Sequence, residues 1–311
     1  MLVSRFGFLS ALLLFGRICE ASPQQSVRVT AQTEADGNKV STQPVWISVH
    51  SKNSSSPQPS ISDLDVKLDG KSAFVSSADR LRPALRYCLL LDSSASTRST
   101  RSIQHGEAVA LLKGIPQAGR DYGLLVTFNS QSYLDAEGTD PQKLIKSINQ
   151  DARGATAMYD AMVACSDYLT KDGTPKDSSN TPLRLMLVLS DGVDNASRTT
   201  REDAERTLIE GRIRVYSIGQ ESSVPYRRDQ AAKASKYLKQ IAESTGGKDY
   251  RSNTGMSFDQ ILQEISDDLA NLYALTLSSE RTVPGHVYKL EVRCRKSDCA
   301  VTAPREYFVP R

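Results

Sequence analysis

Four nearly unbroken apolar runs, separated by segments of helical periodicity, constrain this chain more than any other feature. They are residues 87–91 (YCLLL), 123–128 (GLLVTF), 185–189 (LMLVL) and 213–218 (IRVYSI). A strand with one wet face alternates apolar and polar side chains, so a run that stays apolar reads as a strand covered on both faces, the condition of a parallel sheet. Helical candidates fall between and after these runs: 103–113, 141–149, 157–169, 201–210 with Thr200 as N-cap, 233–244 and 257–272. The expectation is a doubly wound, Rossmann-like α/β domain over residues 84–272, with a mostly parallel sheet and helices on both faces. Ligands of such folds sit in the crevice at the carboxyl ends of the strands, and candidate functional residues belong there.

The chain of 311 residues leaves room for a smaller second unit. Short alternating pieces precede the α/β region at 45–49 and 64–68, the latter followed by the turn signal Asp69-Gly70. Similar pieces follow it at 273–277, 286–293 and 307–309. Three short strands cannot hold a core alone, so the segment 273–311 is expected to pair with 44–82 in a β-sandwich-like unit into which the α/β domain is inserted. Residues 22–43 are polar and read as a flexible lead-in. Residues 1–21 have the layout of a secretory signal peptide: Arg5, the apolar run 6–15, then Cys19-Glu20-Ala21 before a cleavage point. That run is short of the roughly 20 residues needed to span a bilayer, so no stable membrane span is expected after cleavage. The destination is then periplasmic, cell-surface or extracellular.

Charge narrows the choice of partner. The formal net charge of +3 falls to +2 without Arg5, Arg17 and Glu20, and no long basic run stands out, so nucleic acid is not an expected partner. Cleavage also leaves four cysteines, for which export permits disulfides. Cys294 and Cys299 could close a hairpin tip as a disulfide or remain thiols; Cys88 and Cys165, in a strand-like and a helix-like run, read equally well as small buried hydrophobes. His50, His105 and His286 are isolated from one another and offer no zinc spacing.

The first α/β strand runs directly into Asp92-Ser93-Ser94-Ala95-Ser96, a carboxylate and two hydroxyls at alternate positions on a turn. Oxygen ligands of this kind suit a hard divalent cation, although a polar turn with a serine capping the next helix has the same sequence. Thr156 adds a hydroxyl on a turn that Gly154 permits, as a ligand or as the cap of the next helix. Asp191 adds a second carboxylate after another strand, as a ligand or as part of an ordinary Asp-Gly turn.

With these pieces in this order, the segment from Arg86 to Leu272 resembles a von Willebrand factor type A domain with a complete metal-ion-dependent adhesion site, whose motif falls on Asp92, Ser94, Ser96, Thr156 and Asp191. The resemblance implies Mg²⁺, or Mn²⁺, bound by the hydroxyls, with the aspartates often acting through water. It also implies an open position completed by an acidic residue of a partner protein or other macromolecule. Asp160 and Asp194 flank the site and could orient ligands from behind, or serve as a helix-surface carboxylate and a turn residue. The flanking pieces at 64–71 and 305–310 resemble those of exported bacterial, acidobacterial-type members of the family. A P-loop, a G-x-S-x-G elbow and a histidine base near the site are all missing, so the expected role is binding, not catalysis. The alternatives are a structural or assembly subunit of a cell-envelope complex and, less favoured, a Mg²⁺-dependent hydrolase.

Overall fold

The computed structural model describes residues 44–51, 60–149, 151–171, 181–219, 228–251, 255–278 and 282–310. The expected signal peptide and lead-in lie outside the described residues.

The α/β region begins with β5 (Leu85–Asp92), which carries a helix-facing side chain at every position. Tyr87, Leu89 and Leu91 pack on one side with α1 (Arg101–Gly114), α2 (Pro141–Lys146) and α6 (Phe258–Ala270). Cys88 and Leu90 pack on the other with α3 (Met158–Thr170), α4 (Arg201–Glu210) and α5 (Arg228–Thr245). This two-sided burial is the physical reason β5 carries no charged side chain between Arg86 and Asp92. The six-stranded sheet has the order β10-β9-β8-β5-β6-β7. It joins β6 (Tyr122–Phe128), β8 (Leu183–Leu189), β9 (Ile213–Gly219) and β10 (Asp249–Arg251) in parallel with β5, and adds β7 (Ser132–Gly138) antiparallel to β6 at one edge. The fold is therefore a doubly wound α/β fold with a mostly parallel sheet. Because the chain leaves β5 first toward β6 and later returns to its other side at β8, the order reverses there, and a crevice opens at the carboxyl ends of β5 and β8.

The flanking strands form two further four-stranded sheets around a shared apolar core that includes Ile47, Val66, Leu275, Leu290 and Tyr307. One has the order β13-β1-β11-β4, from β1 (Val45–Ser51), β4 (Phe74–Arg80), β11 (Leu272–Ser278) and β13 (Cys299–Thr302). The other has the order β14-β12-β2-β3, from β2 (Leu64–Leu68), β3 (Lys71–Ser72), β12 (Val287–Cys294) and β14 (Glu306–Phe308). Each sheet combines strands from both ends of the chain. Between β2 and β3, Asp69 and Gly70 both take positive φ (47° and 76°), the two-residue turn whose twist matches a hairpin.

Several expectations need correction. The last helix does not extend to residue 272: it ends at Ala270, and Leu272 opens β11, where it is fully buried opposite Ser48. The helix expected over 141–149 closes at Lys146, and α5 starts at Arg228, ahead of the expected 233. The polar strands β4, β7 and β10 carry no apolar run and were not expected at all.

A buried polar cluster joins the α/β sheet to β1. Arg214 on β9 donates from Nη1 to Asp268 on α6 (3.0 Å) and to Ser48 Oγ (2.8 Å), and from Nη2 to the Trp46 carbonyl (2.9 Å). Asp268 also accepts from Tyr216 OH and, at 3.0 Å, from His50 Nε2.

Candidate metal centre

Asp92 is the last residue of β5 and is 0% exposed; Asp191, just past the end of β8, is 7% exposed. Both stand at the point where the strand order reverses. The Asp92 carboxylate is oriented from two sides: Oδ1 accepts the Ser94 amide at 2.9 Å, and Oδ2 accepts the Ser190 hydroxyl at 2.7 Å. Ser190 Oγ in turn accepts the Gly192 amide (2.9 Å), and Asp191 Oδ1 accepts the Val193 amide (3.1 Å). Gly192 has φ +83°, and a Cβ there would stand 2.8 Å from Leu238 Cδ1, so this turn requires glycine.

The hydroxyls are not used as helix caps. Ser94 occupies the cap position of a single 3-10 turn (Ala95–Thr97) without making a side-chain cap; its Oγ lies 2.9 Å from Ser96 Oγ. Ser94 and Thr156 are buried, and Ser96 is half-buried. The cap position of α3 falls on Ala157, one residue past Thr156, and makes no side-chain bond. Three loops are stitched together at this point. The Gly154 carbonyl accepts the Ala95 amide (3.1 Å), and the Ser93 carbonyl accepts the Arg153 amide (2.8 Å). Asn195 brackets Thr156: its Oδ1 accepts the Thr156 amide (2.8 Å), and its own amide donates to the Thr156 carbonyl (2.9 Å). The loops bearing Asp92, Thr156 and Asp191 are thus bonded to one another.

Asp160 and Asp194 clamp this arrangement from behind. Asp194 Oδ2 accepts the Tyr159 amide at the start of α3 (3.1 Å) and the Ser197 hydroxyl (2.6 Å). Asp160, on α3, accepts the amides of Arg198 (3.0 Å) and Thr199 (2.8 Å). Burial alone would raise the Asp160 pKa, but these bonds hold it below the usual carboxylate range. Each carboxylate ties its own segment to the other's, and sequence alone left both roles open. Ser190, Asn195 and Arg101 were missed. Arg101 is buried and donates to the Asp92 carbonyl (2.7 Å), not to its carboxylate. Only the adjacency of Ser190 to Asp191 could have pointed to one of the three.

The electrostatics suit a cation. Burial first, and then the negative field of Asp191, push the Asp92 carboxyl up to about 6, against the hydrogen bonds from Ser94 and Ser190. A divalent ion would balance the two carboxylates, and the neutral hydroxyls of Ser94, Ser96 and Thr156 are hard oxygen donors of the sort that Mg²⁺ or Mn²⁺ takes. The donor set therefore fits the implied ion. Among the described residues no group of three or more His, Cys, Asp or Glu side chains is placed to hold a metal, so this site would depend on hydroxyls.

Among the described residues two disulfides are present, Cys88–Cys165 between β5 and α3 and Cys294–Cys299 between β12 and β13. The first joins the strand that ends in Asp92 to the helix that follows Thr156.

No family model matches the chain, and no curated protein matches its sequence. Among solved structures it is similar to a von Willebrand factor type A protein from Catenulispora acidiphila, at 10% identity and a TM-score of 0.46, over 87% of this chain and 75% of that one. It is also similar to proximal thread matrix protein 1 from the mussel byssus with a zinc-occupied MIDAS motif (14%, TM-score 0.48), covering 66% of this chain and half of the mussel one. A third is the manganese-loaded Plasmodium vivax TRAP protein (11%, TM-score 0.46), over 77% of this chain and 99% of that one. With TM-scores below 0.5, these likenesses decide nothing about the site, whose reading rests on the chain's own residues.

Proposed function

We propose that this protein is an exported binding module of the von Willebrand factor type A kind, which holds Mg²⁺ or Mn²⁺ with Asp92, Ser94, Ser96, Thr156 and Asp191 and thereby grips an acidic group of a partner macromolecule. One observation carries the reading: two buried carboxylates and three hydroxyls free of capping duty occur on three mutually bonded loops, at the crevice where this fold places its ligands. When bound, the ion supplies a Lewis-acidic position that an incoming carboxylate can occupy. The chain's own residues do the rest. Asp92 and Asp191 neutralise the ion, the hydroxyls fill coordination positions without adding negative charge, and the site stays receptive to one more carboxylate. Ser190 and the Ser94 amide fix the Asp92 oxygens in place.

Binding without catalysis is the proposed role because no serine at the site is paired with a proton-accepting histidine. Ser94 Oγ faces Ser96 Oγ, Ser190 is buried between Asp92 and the Gly192 amide, and His50 is engaged by Asp268 in the seam to β1. Export is supported by the two disulfides, which persist in oxidising compartments. Among the described residues no helix is long and apolar enough to cross a membrane. The test is a pull-down from envelope and culture fractions with Mg²⁺ or with EDTA, using wild type and Asp92→Ala. The expected result is a partner retained only by wild type in Mg²⁺; retention that ignores both chelator and substitution would sink the reading.

A further inference from the structure

We infer that Arg101 sets the balance between the two bindings at the candidate metal centre: its buried positive charge loosens the hold on the ion and strengthens the hold on the partner's carboxylate. The inference rests on the metal-dependent reading above and names the residue that tunes that site.

Arg101 opens α1, shortly after the turn that carries Ser94 and Ser96, and is 5% exposed. Its guanidinium donates from Nη1 to the Asp92 carbonyl at 2.7 Å and from Nη2 to the Asn149 carbonyl. Both acceptors are neutral backbone groups. Nε has no hydrogen-bond partner, and among the described residues no carboxylate stands in ion-pair contact with the side chain. A buried charge without a paired counter-charge costs stability, and two carbonyls can be bridged by a neutral donor. Hydrogen bonding alone therefore does not account for a guanidinium here. Burial works against its charge, while the fields of Asp92, then of Asp135 and Asp151, favour it.

Covalent geometry keeps the Asp92 carbonyl within about 5 Å of the carboxylate of the same residue. The guanidinium thus stands beside a group that would hold the ion. Both residues are buried, so solvent screens their interaction weakly. The effect of this charge has opposite signs on the two ligands. A divalent cation entering between Asp92 and Asp191 is repelled by a fixed positive charge nearby. Once the ion is in place, the two carboxylates balance it and Arg101 leaves one positive charge in excess. An incoming carboxylate then meets a net cation, where without Arg101 it would meet a neutral site.

The test compares wild type with Arg101→Gln, which keeps a donor without the charge, and with Arg101→Lys, which keeps the charge without the two-armed fork. Near-ultraviolet circular dichroism checks the fold of each. Mn²⁺ affinity is read by electron paramagnetic resonance, and the carboxylate affinity of the loaded site by titrating acetate against the water-proton relaxation caused by bound Mn²⁺. Arg101→Gln should bind Mn²⁺ at least about fivefold tighter and acetate at least about threefold more weakly, while Arg101→Lys stays within about threefold of wild type for both. A purely structural role would instead lower both affinities together. If Arg101→Gln does not fold, Arg101→Lys decides alone. Any other pattern in a folded variant would overturn the inference and leave the metal site standing; absence of Mn²⁺ binding by wild type would overturn both.

Discussion

Asp92 shows how one residue is set by competing forces. It is buried beside a second carboxylate, and the two hydrogen bonds it receives do not offset that environment. Such a placement destabilises the metal-free fold and prepares it for a cation, so stability and function pull in opposite directions here. Asp92→Asn should accordingly raise the stability of the chelated protein by about 1–3 kcal/mol, since it removes one of two buried like charges. The same variant should gain nothing from added Mg²⁺, while wild type should gain. Thermal melting in EDTA and in Mg²⁺ checks both arms, and a chelated variant that melts lower than chelated wild type contradicts the account. The types and order of Asp92, Ser94, Ser96, Thr156 and Asp191 were readable in the sequence because each has a distinctive oxygen donor beside a strand end or turn. Ser190 and Asn195 were not readable, because their significance lies in bonds to Asp92 and Thr156, residues far from them in the chain.

Among the elements, α6 and β9 carry the main energetic commitment outside the core. Asp268 and Arg214 are almost fully buried and satisfied by one another, by Tyr216 and His50, and by Ser48 and the Trp46 carbonyl of β1. Removing one member leaves a buried charge without its partner, so Asp268→Ala should cost about 3–5 kcal/mol in urea unfolding. Acid should expose the same dependence. Burial opposes ionisation of Asp268, but the His50 hydrogen bond, the Arg214 charge and the Tyr216 hydrogen bond outweigh it and hold its pKa at about 2. An aspartate of an unfolded chain titrates near 3.9, so this contribution is complete above that value and is lost as pH falls toward about 2. Between those limits wild type should lose on the order of 2 kcal/mol that Asp268→Ala no longer has to lose. Parallel pH–stability curves for the two proteins would contradict this. At this scale the central strands were legible from their two-sided burial. The edge strand β7 was not, because five of its seven residues are exposed and its sequence carries no apolar run. The end of α6 was misread because Leu272 continues the apolar spacing of the helix while its burial comes from β11.

For the molecule as a whole, the chain leaves the two small sheets at β4, builds the α/β fold, and returns to them at β11, which pairs with both β1 and β4. Alternating texture at both ends of the sequence hinted at such an arrangement, but strand order could not be read, since register depends on which faces bury together. The cysteine pairing was open for the same reason: only the packing of β5 against α3 brings Cys88 and Cys165 to a Cα separation of 6.3 Å. This disulfide spans 77 residues and so removes much conformational freedom from the unfolded chain. Replacing both of its cysteines with alanine should lower stability by about 4 kcal/mol, against about 2 kcal/mol for the short Cys294–Cys299 loop. Equal losses in chemical denaturation would contradict that ranking. The central claim lies at the crevice that holds Asp92 and Asp191, and its most direct test is to titrate the chelator-treated protein with Mn²⁺ by calorimetry. The account predicts one saturable ion per chain, displaced by excess Mg²⁺ and lost in a folded Asp92→Ala variant. Failure of wild type to bind, or binding that Asp92→Ala leaves unchanged, would contradict it.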